Sequence, residues 1–222
     1  MIKLVVFDWD GTLMDSEARI VTAMQRAFAA EGAMAPGAAA VREIIGLDLG
    51  VAVSQLNQLL PPARIVAIVQ GYRQLYAELH AIPSPLFDGA KTTLAQLTGA
   101  GYLLAIATGK SRRGLDRALE ESGVGDYFAT TRCGEEAAPK PDPAMLRDIL
   151  SDLDTRPQQT LMVGDTEFDL LMAAAARTHA AAATYGAHGR ERLIGLKPAI
   201  VIDALAELPA AVARLNDTTI FT

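Results

Sequence analysis

The 222 residues are half hydrophobic and about a fifth charged, which is ample for one large core or for a core with a smaller insert. A net charge of −6 argues against a general nucleic-acid or anionic-membrane surface, since either would want a basic patch. No apolar stretch is long enough to span a bilayer, and the single cysteine, Cys133, permits no internal disulfide and suits a reducing cytoplasm. From the amino end, residues 4–7 (LVVF) form a short apolar run with β-branched residues, read as a strand buried on both faces. The run breaks into acid too early to serve as a signal peptide. Asp8 and Asp10 appear at its carboxyl end, Gly11-Thr12 makes a turn, and Asp15-Ser16 offers a helix N-cap.

Residues 16–30 then place Ile20, Ala23, Met24, Ala27 and Phe28 at helical spacing. A short helix is expected over 38–45, stopped by Gly46, and another over 48–60, stopped by Pro61-Pro62. A fourth is expected over 63–80, with Ile65, Ile68, Val69, Tyr72, Leu75 and Leu79 on one side. No strand interrupts this block, so residues 16–85 are expected to be an inserted helical domain hinged near 13–16 and 81–87. Residues 1–15 and 86–222 would make the α/β core.

Beyond Phe87 helices and strands alternate, the pattern of a parallel sheet. The spacing predicts a helix over 88–98 capped by Asp88, a strand over 102–107 ending at Thr108-Gly109, and a helix over 111–122. A strand over 127–131, a helix over 143–153, a strand over 160–163 ending at Gly164-Asp165, and a helix over 166–176 follow. Strands over 180–183 and 200–202, a helix over 203–215 and a frayed end over 216–222 complete the chain.

Four strand ends carry the chemistry. Carboxylates as close as Asp8 and Asp10 raise each other's proton affinity. The pair therefore suits a metal site, an acid/base pair, or a nucleophile beside its proton donor. The Thr108 hydroxyl and the Gly109 N–H, at the start of a helix, can both donate to phosphate oxygens. Lys110 follows directly and faces either substrate or solvent. Lys140 lies in a run with prolines at 139, 141 and 143, which fix one cation in a stiff loop, and Asp142 can cap the helix beyond. Asp165 leaves a strand end with Asp169 four residues later on one helix face. Either acid alone is accounted for by the helix dipole. With Asp8 and Asp10 they make a hard oxygen set suited to Mg²⁺ rather than zinc.

Phe7-Asp8-Trp9-Asp10-Gly11-Thr12-Leu13 resembles the first motif of the haloacid dehalogenase-like phosphohydrolases. Thr108-Gly109 resembles the second, Lys140 with its KPDP run the third, and Val163-Gly164-Asp165-Thr166-Glu167-Phe168-Asp169 the fourth. All four occur in order, and the likeness spans nearly the whole chain. It implies a Rossmann-like core with a C1-type helical cap, a phosphoglycolate phosphatase-like activity, Mg²⁺ as cofactor and a small phosphate ester as substrate. It further implies that Asp8 attacks phosphorus and that Asp10 acts as general acid, then base. By the same likeness, Thr108 and Gly109 bind the phosphoryl group, and Lys140 neutralises the nucleophile and the transferring phosphate. Asp8, Asp165 and the Asp10 backbone carbonyl would hold the metal, with Asp169 supporting the site and pairing with the lysine.

Rival activities on such a scaffold leave different marks. A haloacid dehalogenase usually lacks the second acid of the pair, and Asp10 is present. A phosphonatase needs a lysine in the cap, and residues 16–85 contain none. A phosphomutase of the β-phosphoglucomutase type places a histidine in the first cap helix, and no histidine precedes His80. A catalytically silent binding protein would be expected to lack a motif residue. Substrate choice falls to the cap, where Arg42 and the Gly46-Leu47-Asp48 segment are candidates; Arg42 beside Glu43 reads first as a surface pair. Trp9 should point away from the acids into packing. His179 and His188 read as structural or solvent-facing.

Overall fold

A computed structural model of the chain describes residues 1–79 and 81–219. Among them, six strands form one parallel sheet: β1 (Leu4–Phe7), β2 (Leu103–Ala107), β3 (Thr130–Arg132), β4 (Thr160–Gly164), β5 (His179–Ala183) and β6 (Ile200–Ile202). Their order is β3-β2-β1-β4-β5-β6. β1 is therefore central, and its neighbours β2 and β4 come from opposite directions of chain travel. A crevice opens at such a point, beyond the carboxyl ends of the strands. Phe7 is in register with Ile106 on one side and Val163 on the other, so the three strands end together. Burial on both faces explains the unbroken apolar runs: Phe7, Ile106, Leu161 and Val163 face one core cluster, Leu4, Val6, Ala105 and Met162 the other.

Helices α1 (Glu17–Ala30), α2 (Ala38–Arg42), α3 (Leu49–Leu56) and α4 (Pro62–Glu78) lie between β1 and β2. They pack on one another around Ile20, Met24, Phe28, Val41, Val53 and Ile68. The two links to the sheet run side by side: the Asp15 N–H donates to the Pro85 carbonyl at 2.8 Å and the Phe87 N–H to the Leu13 carbonyl at 3.0 Å. The remaining helices flank the sheet: α5 (Ala90–Gly99), α6 (Arg112–Ser122), α7 (Ala144–Asp152), α8 (Glu167–Ala176), α9 (Arg190–Gly195) and α10 (Leu208–Thr219).

Several boundaries differ from expectation for local reasons. α2 stops at Arg42 because residues 43–46 wind through turns into Gly46, whose φ is +94°. α3 is four residues shorter at its end than the 48–60 reading and begins after Asp48, which caps it by accepting from Gly50 N and Val51 N. α4 admits Pro62 at its first turn, where no N–H is needed; the expected end at His80 lies outside the described residues. Asp88 does not cap α5: Gly89, left-handed at φ +81°, takes that position. The third strand starts later than expected because residues Gly125–Tyr127 form a 3₁₀ turn. α9 was not foreseen. At the carboxyl end a 3₁₀ turn (Leu205–Glu207) precedes α10, which continues to Thr219 instead of fraying at 216. Asn216 secures it, accepting from Ile2 N and donating to Tyr102 Oη at 3.0 Å; residues 220–222 lie outside the described residues. Trp9 is buried in the core with its indole N–H on Met14 Sδ, as expected.

Candidate active site

The end of β1 delivers Asp8, and the end of β4 delivers Asp165. Lys140 enters from the proline-bounded loop before α7, and Asp169 from the first turn of α8. Asp8, Lys140, Asp165 and Asp169 are all buried. Lys140 Nζ lies 2.7 Å from Asp8 Oδ1 and 2.6 Å from Asp169 Oδ1. Asp169 Oδ2 accepts from the Thr166 N–H at 3.1 Å and its hydroxyl at 2.7 Å, tying the start of α8 to the site. Asp165 accepts from the Thr12 hydroxyl at 2.6 Å and the Ala187 N–H at 2.7 Å. Neither Asp8 oxygen has a hydrogen-bond partner among the described residues; Oδ1 has its ion pair with Lys140 and Oδ2 has no such contact.

Close packing needs small residues behind these acids. A Cβ on Gly186 would lie 2.3 Å from Asp165 Cβ, and one on Gly164 2.3 Å from Asp169 Cβ. Gly11, at φ +86°, comes equally near the Asp165 carboxylate.

Electrostatics follow from the crowding. Burial pushes the Asp8 carboxyl well up; Lys140 pulls it down, and Asp169 and Asp165 add to the rise. Asp165 is pushed up to about 7 by burial and by the Asp169 charge. Burial opposes the Lys140 ammonium, but Asp169 and Asp8 outweigh it and raise its pKa. Three buried carboxylates thus face one ammonium, with ligand oxygens of Asp8, Asp165 and Asp169 within 4.8 Å of one another.

Asp10 stands apart from that cluster. Its Oδ1 accepts from Ser16 Oγ at 2.7 Å, and Lys110 Nζ donates to both oxygens at 2.9 Å. Ser16 therefore gives its hydroxyl to Asp10 and none to α1, which has no side-chain cap. Lys110 faces neither bulk solvent nor the Asp8 cluster; it sits 4.7 Å from the centroid of the Tyr76 ring of α4. Thr108 is buried at the end of β2, its Oγ1 accepting from Lys110 N at 3.2 Å.

Asp8, Asp10, Thr108, Gly109 and Lys110 line a cavity of about 1060 Å³ walled on its other side by residues of α1, α3, α4 and the 44–49 segment. Gly46-Leu47 reaches the sheet: a Cβ on Gly109 would lie 2.7 Å from the Leu47 carbonyl oxygen. Asp48 lines the cavity but is engaged in capping α3. Arg42 pairs with Glu17 at 2.6 Å, not with Glu43, and Glu43 pairs instead with Arg192 at 2.5 Å. His188 is buried and accepts from Glu167 N at 3.0 Å.

Sequence reasoning missed Thr12, Ser16 as a partner of Asp10, Tyr76 and Ala187. Thr12 and Ser16 lie within or just after the first motif. Tyr76 and Ala187 carry no local signal, because one arrives from a helix 66 residues downstream of Asp10 and the other acts through its backbone.

Acids and a lysine gathered beyond the carboxyl ends of parallel strands, under a helical layer that walls a cavity, define the class as a doubly wound α/β protein with a carboxylate-centred site. Comparison with known proteins narrows this. The family model described as haloacid dehalogenase-like hydrolase matches residues 5–183. A probable phosphatase, IndB, of Dickeya dadantii is 36% identical, over 97% of this chain and 95% of that one. A phosphoglycolate phosphatase of Vibrio cholerae is 32% identical, over 93% and 95% respectively. The crystal structure of a haloacid dehalogenase-like hydrolase of Bacteroides fragilis, so described as putative, superposes with a TM-score of 0.88 at 25% identity, over 94% of this chain and all of that one. The chain belongs to the haloacid dehalogenase-like hydrolases, and the expected enzyme class, a phosphatase of the phosphoglycolate phosphatase-like kind, is borne out. No helix among the described residues is long and apolar enough to cross a membrane.

Proposed function

We propose that this enzyme is a Mg²⁺-dependent phosphatase that hydrolyses a small phosphate monoester through an aspartyl-phosphate on Asp8. The observation that carries the reading is Asp8 itself: buried at the edge of the cavity, fixed at Oδ1 by Lys140, with Oδ2 unengaged among the described residues. Asp8 attacks phosphorus as the bond to the leaving oxygen breaks, and Asp10 supplies that oxygen's proton. Water then attacks the aspartyl-phosphate, Asp10 takes a proton from it, and phosphate departs. Lys140, the Thr108 hydroxyl and the Gly109 N–H counter charge on the transferring oxygens.

The donor set fits a divalent ion, because three buried carboxylates are balanced by only one ammonium and neither Asp8 oxygen has a hydrogen-bond partner among the described residues, Oδ1 having only its ion pair with Lys140. Asp8, Asp165 and the Asp10 carbonyl would hold it, Asp165 keeping its contacts with Thr12 and Ala187, and Asp169 would support the site through Lys140 and Thr166. When bound, Mg²⁺ supplies charge neutralisation for the phosphoryl group.

Residues 16–85 act as the cap in this reading, over a core of 1–15 and 86–222. The net charge of −6 and the single cysteine support a cytoplasmic enzyme of small molecules, with neither nucleic acid nor membrane as partner. A panel of phosphate esters assayed with and without Mg²⁺ tests it. Phosphate release only with metal is expected. Metal-independent halide release from 2-haloacids, or an isomerised product without free phosphate, would overturn it.

A further inference from the structure

Asp10 is held more firmly than an exposed loop acid would be. Lys110 Nζ donates to both carboxylate oxygens at 2.9 Å, and Ser16 Oγ to Oδ1 at 2.7 Å. Each carboxylate oxygen offers two acceptor positions. Oδ1 is filled by the two donors, and Oδ2 keeps one position beside Lys110. The clamp fixes the plane of the carboxyl group and leaves one direction for exchanging a proton. Both side chains are largely shielded, 10% exposed for Lys110 and 13% for Asp10.

A lysine on a four-carbon stem is ordinarily a mobile point charge. Here the stem is seated from the helical side. The ammonium lies 4.7 Å from the Tyr76 ring centroid, and the Arg19 guanidinium carbon lies 4.8 Å from the same ring, both within cation–π range. Tyr76 belongs to α4 and Arg19 to α1, whereas Lys110 follows β2. The clamp therefore joins the helical layer to the loop that carries Thr108 and Gly109.

Resting on the phosphatase reading above, we infer that Lys110 is a positioning residue that aims the Asp10 carboxyl at the leaving oxygen, and that Tyr76 seats Lys110, so the acid is aligned while α4 lies over the sheet. Lys110 does not touch the reacting atoms; its work is done through Asp10.

The test compares two esters. An alkyl phosphate needs a proton on its leaving oxygen, whereas the nitrophenolate of p-nitrophenyl phosphate leaves without one. Lys110→Met keeps the stem and removes the donors. Its kcat/KM should fall about 10²-fold on 2-phosphoglycolate and by no more than about threefold on p-nitrophenyl phosphate. Lys110→Arg, which can also donate to both oxygens, should recover most of the loss. Tyr76→Leu should show the same split in weaker form, and Tyr76→Phe, which keeps the ring, should fall less than Tyr76→Leu. If Lys110→Met does not fold, Tyr76→Leu carries the same comparison. Equal losses on both esters, or no loss on either, would overturn the inference while leaving a phosphatase. Where another alkyl phosphate of the panel is the better substrate, it replaces 2-phosphoglycolate in the comparison; if the wild-type enzyme with Mg²⁺ releases phosphate from no ester of the panel, the phosphatase reading falls and takes the inference with it.

Discussion

The Lys140 ammonium meets Asp8 Oδ1 at 2.7 Å with both side chains shut away from water. The same ammonium reaches Asp169 at 2.6 Å, so one cation balances two buried acids. Removing one partner of such a group strands the charges that remain. Lys140→Met should destabilise the fold by about 3–5 kcal/mol, read from urea unfolding at neutral pH. It should also abolish turnover. A loss under about 1 kcal/mol would mean that the carboxylates are not both ionised beside it.

Asp8→Asn should behave in the opposite way. Burial and the charges of Asp169 and Asp165 work against an ionised Asp8, and only Lys140 favours it. The amide keeps the shape and removes the repulsion. The variant should melt no lower than wild type in metal-free buffer, while turnover falls by at least about 10³-fold because the proposed nucleophile is gone. A variant retaining near-wild-type turnover would refute the nucleophile assignment.

How much of this was legible in the sequence depends on how local the signal is. The buried strands are apolar runs, and the residues just beyond them, Asp8, Thr108 and Asp165, could be read from motif and position alone. Their meeting beyond the carboxyl ends of the central strands needed the strand order, which places β4 beside β1. The strand His179–Ala183 is nearly all alanine, a helix former, and is a strand because β4 and β6 pair with it on both sides. Ser16 looked like a helix cap, yet its hydroxyl serves Asp10. Asp88 looked like one too, but left-handed Gly89 makes that turn. For the strand and for Ser16 a tertiary partner outcompeted a local preference, whereas at Asp88 the backbone freedom of the next residue decided.

Cys133 gives a prediction in pH. Burial pushes its thiol up to about 12; Arg112 opposes the rise, and Glu136, Asp116 and Glu135 add to it. An unfolded thiol ionises near 9. The folded state therefore holds this proton more tightly than the unfolded one, and stability from this group, intact below pH 9, is lost as pH rises from there toward 12. At pH 8 a disulfide reagent should label the native protein far more slowly than the guanidinium-unfolded chain. Equal rates in the two states would place the thiol at the surface.

Gly109 tests whether contact between the helical layer and the sheet is needed for work. A Cβ there would stand 2.7 Å from the Leu47 carbonyl oxygen and 2.8 Å from that of Gly46. Neither is a side chain that can swing aside, so Gly109→Ala must lift the 46–47 backbone off the sheet or move the Thr108 turn. Displacing the loop proposed to hold the phosphoryl group by even an ångström is worth about 10²-fold in rate, while the overpacking itself costs about 1–3 kcal/mol. Activity should therefore fall by far more than the folded fraction, which urea unfolding measured beside kcat/KM will separate. Gly99 provides the control: it ends α5 with nothing within 4 Å of a Cβ, so Gly99→Ala should leave activity unchanged and stability equal or slightly raised. Full activity in Gly109→Ala would mean that the loop does not rest on Gly109 during turnover, and that substrate is enclosed by some other contact than the Gly46-Leu47 backbone.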